Sequence, residues 1–308
     1  MEDTRTGCLF LCATPIGNLQ DVSLRLLATL KEVDLIAAED TRHTRKLLTH
    51  FDIHKPLISY HRYSSTEQAA QIIDYLNNGQ KVALVSDAGM PGISDPGTDL
   101  VAAAIAAGIA VVPVPGPVAA IAALAASGMD TARFCFEGFL PRRRGQRREI
   151  MERLKAEERT MVFYEAPHRV TETVEDLLDI FGNRRLVMAR EITKIHEDFW
   201  RGTVTEALEH LKEQGERGEY TLVLEGLSEY RRRSGERGEG QEVSSGSAAF
   251  ALETASPPLS VGQRVAILME QGFSEKDALK QLAKKDGVSK SDLYRALMRE
   301  RDDNNALK

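Results

Sequence analysis

Five short apolar runs alternate with helical patterns through the first 129 residues, and this alternation constrains the fold more than any other feature. The runs occupy residues 9–13, 34–38, 57–61, 81–85 and 109–114. Between the first two, Val22, Leu26, Leu27, Leu30 and Val33 recur at helical spacing. Helical patterns also cover about residues 43–50, 66–77, 100–107 and 118–126, with Asn78-Gly79 and Gly128 as stops. Strands separated by helices pair in parallel and are covered by helices on both faces. The expected class is α/β.

Parallel strands share their carboxyl edge, where open α/β sheets bind ligands. Four of the strand ends carry unusual turns: Thr14-Pro15-Ile16-Gly17, Ala38-Glu39-Asp40-Thr41-Arg42, the segment 86–97, and Pro113-Val114-Pro115-Gly116-Pro117. The segment 86–97 is rich in Gly and Pro, carries Asp87 and Asp95, and matches neither the dinucleotide nor the P-loop glycine spacing. Asp87 is expected to accept hydrogen bonds from a ligand's hydroxyl or amine groups. Asp95, just before Pro96, is as readily a helix N-cap. Glu39 and Asp40 read either as base and orienter or as a strand end running into a capped helix, with Arg42 paired to an acid.

Beyond residue 130 strands and helices mix, with room for antiparallel pairing. The strand-like run 134–139 leads to a loop, 141–148, that holds Arg142, Arg143, Arg144, Arg147 and Arg148. A helix over about 149–157 and a strand over 160–164 follow. A charge run is usually a solvated face. Five arginines in one short loop of a chain with net charge −6 favour a phosphate-binding patch instead. Glu165-Ala166-Pro167-His168-Arg169 is either a helix start with Pro in its first turn or a second wall of a cleft.

The expected organisation is an N-terminal α/β domain (1–129), a second α/β domain (130–228), an Arg/Gly/Ser-rich flexible linker (229–258) and a C-terminal helical domain (259–308). The last contains three short amphipathic helices, over 261–271, 275–285 and 291–299, the final pair resembling a helix-turn-helix. No apolar stretch reaches the roughly 20 residues of a membrane span, and the acidic N-terminus is no secretory signal, so a cytoplasmic location is expected and no membrane partner. Cys8, Cys12 and Cys135 form no C-x-x-C pair and are expected as reduced thiols. No histidine or cysteine cluster has metal-ligand spacing, and no G-x-S-x-G elbow occurs.

The strand-end motifs, together with Phe136-Glu137-Gly138-Phe139-Leu140-Pro141 and Tyr164-Glu165-Ala166-Pro167-His168-Arg169, resemble those of the ribosomal small subunit methyltransferase I family, in the tetrapyrrole methylase superfamily. The resemblance runs in order through residues 7–226. It implies S-adenosylmethionine in a cleft between two α/β domains, and methylation of a cytidine ribose 2′-hydroxyl in the decoding region of 16S rRNA within the small ribosomal subunit, by a homodimer. By motif position, cofactor contacts fall on Pro15, Asp87, Met90, Ile93, Val118, Ala119, Tyr164 and Glu165, with further contacts near Leu224. Glu39, Asp40 or His61 would receive the proton, and the arginine loop would hold the RNA backbone. Two departures stand out. Met90 replaces the family's common Thr. Tyr60-His61-Arg62-Tyr63-Ser64 replaces a Tyr-His-Glu-His-Asn-like segment, of which His61 survives. A tetrapyrrole methyltransferase and a non-catalytic RNA-binding module are the rival readings.

Overall fold

In the computed structural model the first five runs form one all-parallel sheet in the order β3-β2-β4-β1-β5. Its strands are β1 (Cys8–Cys12), β2 (Leu35–Ala38), β3 (Leu57–Ser59), β4 (Lys81–Val85) and β5 (Ala110–Val114). The structure describes residues 7–61, 66–235 and 274–286, together with 265, 268, 269, 294, 295, 297 and 298. The chain crosses the sheet one way from β1 to β3 and returns from β3 to β5. Right-handed connections then put the first two helices on one face and the next two on the other. Accordingly α1 (Leu24–Glu32) and α2 (Thr41–His50) pack through Leu26, Leu30 and Leu48 on Ile36, Ala38, Ala83 and Val85. The opposite residues of the same strands, Leu35, Ala37, Val82 and Leu84, meet Ile72, Leu76, Leu100 and Ala104 of α3 (Thr66–Asn77) and α4 (Thr98–Ala106). This is the period-two alternation of a sheet buried on both sides.

Local chemistry sets the helix starts. Ser23 Oγ accepts from Leu26 N–H (3.0 Å) at the head of α1, and Asp40 Oδ1 accepts from Arg42 N–H (2.8 Å) at the head of α2. The N-cap of α4 is Gly97, not Asp95.

The second sheet has the order β6-β7-β10-β8-β9, with only the β6–β7 pair parallel. Its strands are β6 (Phe134–Phe139), β7 (Thr160–Glu165), β8 (Arg185–Arg190), β9 (Asp198–Thr203) and β10 (Tyr220–Leu224). One face, with Met161, Phe163, Leu222 and Leu224, packs under α6 (Arg144–Leu154), α7 (Val170–Phe181) and α8 (Val204–Gln214). The other, with Val162, Val187, Ala189 and Val223, receives Ala120, Ala123 and Leu124 of α5 (Ala119–Ser127). Because α5 follows directly on β5, the edge of the first sheet is carried to the face of the second.

Two expectations change here. The linker placed from residue 229 begins as helix α9 (Leu227–Ser234), because Arg233 reaches back to buried Glu225 (Nε to Oε1 3.0 Å, Nη2 to Oε2 2.9 Å) and holds the chain helical. Residues 236–258 lie outside the described residues. Helix α6 starts at Arg144, inside the expected arginine loop. In the C-terminal unit, α10 (Glu275–Asp286) matches the middle expected helix, with Ser274 Oγ accepting from Asp277 N–H (3.2 Å). Its Ala278, Leu279, Leu282 and Ala283 bury against Val265 and Leu297. The other two expected helices fall mostly outside the described residues. No helix among the described residues is long and apolar enough to cross a membrane. The three cysteines are free, and burial pushes the Cys12 and Cys135 thiols up to about 12.

Candidate active site

Three strand-end loops are tied together by main-chain N–H groups that donate to carbonyls and carboxylates across them. Thr14 N–H donates to Gly89 O (2.9 Å) and Gly89 N–H returns to Thr14 O (3.1 Å), joining the ends of β1 and β4. Gly89 sits at φ +84°, a left-handed conformation that a side chain would strain. Asp87 Oδ1 accepts from Asp40 N–H (3.1 Å), and Asp87 N–H points to Glu39 Oε2 (3.4 Å). These bonds latch the end of β2 to that of β4.

A cavity of about 190 Å³ opens between these loops and the second sheet. Met90, Ile93, Ser94 and Asp95 line it from the β4 loop, and Val118 and Ala119 from the start of α5. Tyr164 and Glu165 at the end of β7, the turn Glu191–Lys194 after β8, and Tyr220 and Thr221 of β10 close it from the other side. Six of the eight expected cofactor contacts therefore share one cavity. Pro15 and Asp87 line a separate hollow of about 220 Å³ with Leu19, His43, Lys46 and His50. Leu224 is fully buried in the core of the second sheet, at the far end of β10, so Tyr220 and Thr221 take the place expected near it.

The second wall is stiffly built. Tyr164 Oη accepts from Ala120 N–H (3.1 Å), which occupies a backbone donor of α5, whose N-cap Val118 has no capping side chain. Burial pushes the Tyr164 phenol above its ordinary range. Buried Glu165 accepts from Ala166 N–H (2.8 Å) and Thr173 Oγ1 (2.6 Å) and meets Arg169 at 3.3 Å, so its carboxylate fixes the wall. Lys194 Nζ bridges Glu191 (2.8 Å) and Glu219 (2.9 Å). Burial opposes the Glu191 charge, but Lys194 and Glu219 N–H outweigh it and hold the carboxyl below its usual range. Glu191 and Thr193 both adopt left-handed φ, at 50° and 67°, which bends this turn into the cavity.

The cavity joins a larger groove of about 760 Å³, since Ile93, Ser94 and Phe139 border both. Glu39, Glu137, Arg142 and His168 face that groove. Of the three expected proton acceptors, only Glu39 does so. Asp40 is corrected to a structural role. Its carboxylate caps α2 and pairs with Arg42 through two bonds (3.1 and 2.8 Å), which hold it well below the usual carboxylate range and make it a poor base. His61 is exposed just past β3, and lines neither the cavity nor the groove.

The arginine patch divides in two. Arg144, Arg147 and Arg148 occupy one face of α6 at i, i+3 and i+4, and all three reach Asp176 of α7 (3.0, 2.8 and 2.8 Å). Arg147 has no exposed surface and also meets Glu172. The expectation that Arg147 contacts RNA is therefore corrected, because it braces α6 against α7. Arg144 and Arg148 stay partly exposed, and Arg142 and Arg143 precede the helix and face solvent. Sequence reasoning missed the Glu191–Lys194 turn, Tyr220 and Thr221. Their only local signal is a strand end at Glu191.

The fold and this cavity define a tetrapyrrole (corrin/porphyrin) methylase, and that family's profile matches residues 9–208. The solved uroporphyrin-III C-methyltransferase of Thermus thermophilus shares the fold at TM-score 0.50 and 21% identity, covering 74% of this chain and 98% of that one. A cobalt precorrin-4 methyltransferase does so at 0.53 and 14%, covering 72% and 95%. Curated sequences are far more similar. The ribosomal RNA small subunit methyltransferase I of Halalkalibacterium halodurans is 48% identical over 94% of this chain and 93% of its own length. The Bacillus subtilis protein of the same name is 40% identical over 94% of both. The chain belongs to the ribosomal RNA small subunit methyltransferase I family. It is thus a methyltransferase whose methyl donor is S-adenosylmethionine. The cavity fits that cation, with apolar walls at Ile16, Val118 and Ile192 and an acidic lining of Asp95 together with Glu191 and Glu219, which share the Lys194 ammonium.

Proposed function

We propose that the protein methylates the ribose 2′-hydroxyl of a cytidine in the decoding region of 16S rRNA, within the small ribosomal subunit. The near full-length identity to curated small-subunit rRNA methyltransferases carries this reading. The groove at the mouth of the cavity supports it, being large enough for a nucleotide and bordered by Arg142. The homodimer implied by the sequence resemblance and the cytoplasmic setting expected from the sequence belong to the same proposal.

Bound S-adenosylmethionine supplies an electrophilic methyl group on a positively charged sulfur. The protein's main task is then to align the ribose oxygen with that carbon, a contribution worth roughly 7–11 kcal/mol in well-oriented systems. As the O–C bond forms and the C–S bond breaks, the hydroxyl proton must leave. Glu39, the candidate acid on the groove, is the group to receive it, oriented by Asp87 N–H. The acidic lining favours the donor's positive charge, and the fixed Tyr164–Ala120 bond keeps the opposite wall in place.

The test is transfer of tritium from labelled S-adenosylmethionine to small subunits lacking the modification, with free 16S rRNA and a tetrapyrrole as parallel acceptors. Label in a cytidine 2′-O-methyl group is the expected result, and label only in the tetrapyrrole overturns the proposal. The RNA-facing arginines are tested separately. Arg142→Ala with Arg143→Ala should weaken subunit binding and lower its salt slope by roughly one per arginine, leaving donor affinity unchanged. An unaltered slope in salt-titrated binding removes them from the RNA contact.

A further inference from the structure

We propose, on the footing of the rRNA reading above, that Phe139 is the platform on which the target base stacks once its nucleotide has turned out of the RNA. The β6–β7 register slips between Phe136 and Gly138, leaving Glu137 as an extra residue in β6. Gly138 takes φ +62°, a left-handed conformation that favours glycine, and a Cβ there would stand 3.4 Å from Ser94 Oγ. In a regular strand, residues three apart point to opposite faces. The bulge instead brings both Phe136 and Phe139 against the Tyr164 ring, with centroids 5.0 and 5.4 Å away.

Phe136 is half-buried, whereas Phe139 is 57% exposed, and the other large apolar side chain that borders both cavity and groove, Ile93, is 56% exposed, so the apolar surface here is concentrated at the site rather than scattered. Its mount is rigid. Tyr164 is pinned through Ala120 N–H, and Arg169 Nη2 donates to Leu140 O (2.9 Å) and Pro141 O (3.2 Å), fixing the chain just beyond the ring. Phe139 also borders both the methyl-donor cavity and the groove. An occupant resting on it spans the two spaces, as a nucleoside must when its ribose is methylated and its neighbours remain in the groove.

Chemistry points to a base as that occupant. A ribose held in a stacked strand cannot bring its 2′-oxygen into an inset cavity, so the nucleotide has to unstack, and enzymes acting on such nucleotides recover part of the cost by stacking the extruded base on an aromatic face. Phe139 offers a π-face with no hydrogen-bonding group, so it positions the base without reading its identity. It is a positioning residue, and Glu39 on the same groove remains the proton acceptor.

The experiment compares Phe139→Ala, Phe139→Leu and Phe139→Trp by tritium transfer to small subunits, with donor affinity measured by calorimetry and assembly by sedimentation. Alanine and leucine should each lower kcat/KM by about 5- to 150-fold, the worth of one base–aromatic stack, while tryptophan stays within about threefold of wild type. Donor affinity should fall by much less than the rate, and sedimentation should not change. Leucine as active as wild type overturns the proposal, since apolar cover alone would then suffice. A loss of donor affinity matching the loss of rate assigns the ring to the donor cavity and overturns it as well. A changed sedimentation coefficient with the loss of activity makes the ring a subunit contact, again against the proposal. Wild-type protein that labels no small subunits overturns the rRNA reading and this inference together, whereas equal labelling by all four proteins overturns the inference alone.

Discussion

Asp176→Ala should destabilise the protein by about 3–5 kcal/mol, the usual consequence of removing one partner from a buried ion pair. Asp176 has no exposed side-chain surface and faces three guanidinium groups, from Arg144, Arg147 and Arg148. Arg147 is equally buried, and its Nη1 has no hydrogen-bond partner among the described residues. Without the carboxylate, the Arg147 guanidinium is left, among the described residues, with the 3.3 Å contact to Glu172, whose side chain is largely exposed. Urea titration followed by circular dichroism measures the loss. A midpoint within experimental error of wild type would show that α6 and α7 are held by their apolar contacts alone. The site also shapes acid stability. Burial raises the Asp176 pKa, but the three arginines outweigh it, and the folded value lies below the ordinary one. The associated stability is complete above the unfolded value of about 3.9 and is lost as pH falls through the lower folded value. Asp176→Asn should therefore flatten that part of the acid limb, with no corresponding change near neutrality in slope against pH.

The same arginines show where sequence reading stops. Their composition announces a basic patch, and the helical spacing of 144, 147 and 148 is visible in the sequence. Their common partner lies 28 to 32 residues away on another helix, and no local pattern reveals it. The strand-end loops were legible because each is written locally: Pro15 and Gly17, Glu39 and Asp40, Gly89 and Gly92, and Gly116 all punctuate an apolar run. Whatever depends on antiparallel pairing was not. Thr221 and Ile192 reach the cavity because β10 runs between β7 and β8, a register set by contacts among residues 161–224. The orientation of Phe139 was illegible for a different reason, since one bulge in the parallel β6–β7 pair reverses the face that simple alternation assigns. Asp40 and Glu39 illustrate the opposite case. They are adjacent and chemically alike, yet a cap and an arginine take the first while the groove takes the second.

That division of labour makes Asp87→Ala the most informative change at the site. Asp87 lines the hollow beside Pro15, and its Oδ1 is the acceptor that ties Asp40 N–H, at the head of α2, to the β4 loop. A hydrogen bond to a charged acceptor is worth about 1.5–3 kcal/mol, which sets a ceiling of roughly 10- to 150-fold on the loss of donor binding when the unlatched loop lets the neighbouring cavity shift. The rate should fall further than the affinity. Glu39 is oriented through Asp87 N–H at 3.4 Å, and a displaced loop misplaces the proton acceptor and the donor cavity together. A shift of about 1 Å in such an arrangement can cost 10²-fold in rate. Methyl transfer at saturating donor is thus expected to drop by about 10²-fold or more, with calorimetry reporting the affinity separately. Asp87→Asn keeps the oxygen that accepts from Asp40 N–H and loses only the charge. It should recover most of the rate if the latch is what matters, and little if the negative charge holds the donor directly. Wild-type binding and turnover in Asp87→Ala would mean that the Thr14–Gly89 backbone bridge alone fixes the loops and that Asp87 takes no part in donor binding, directly or through the latch.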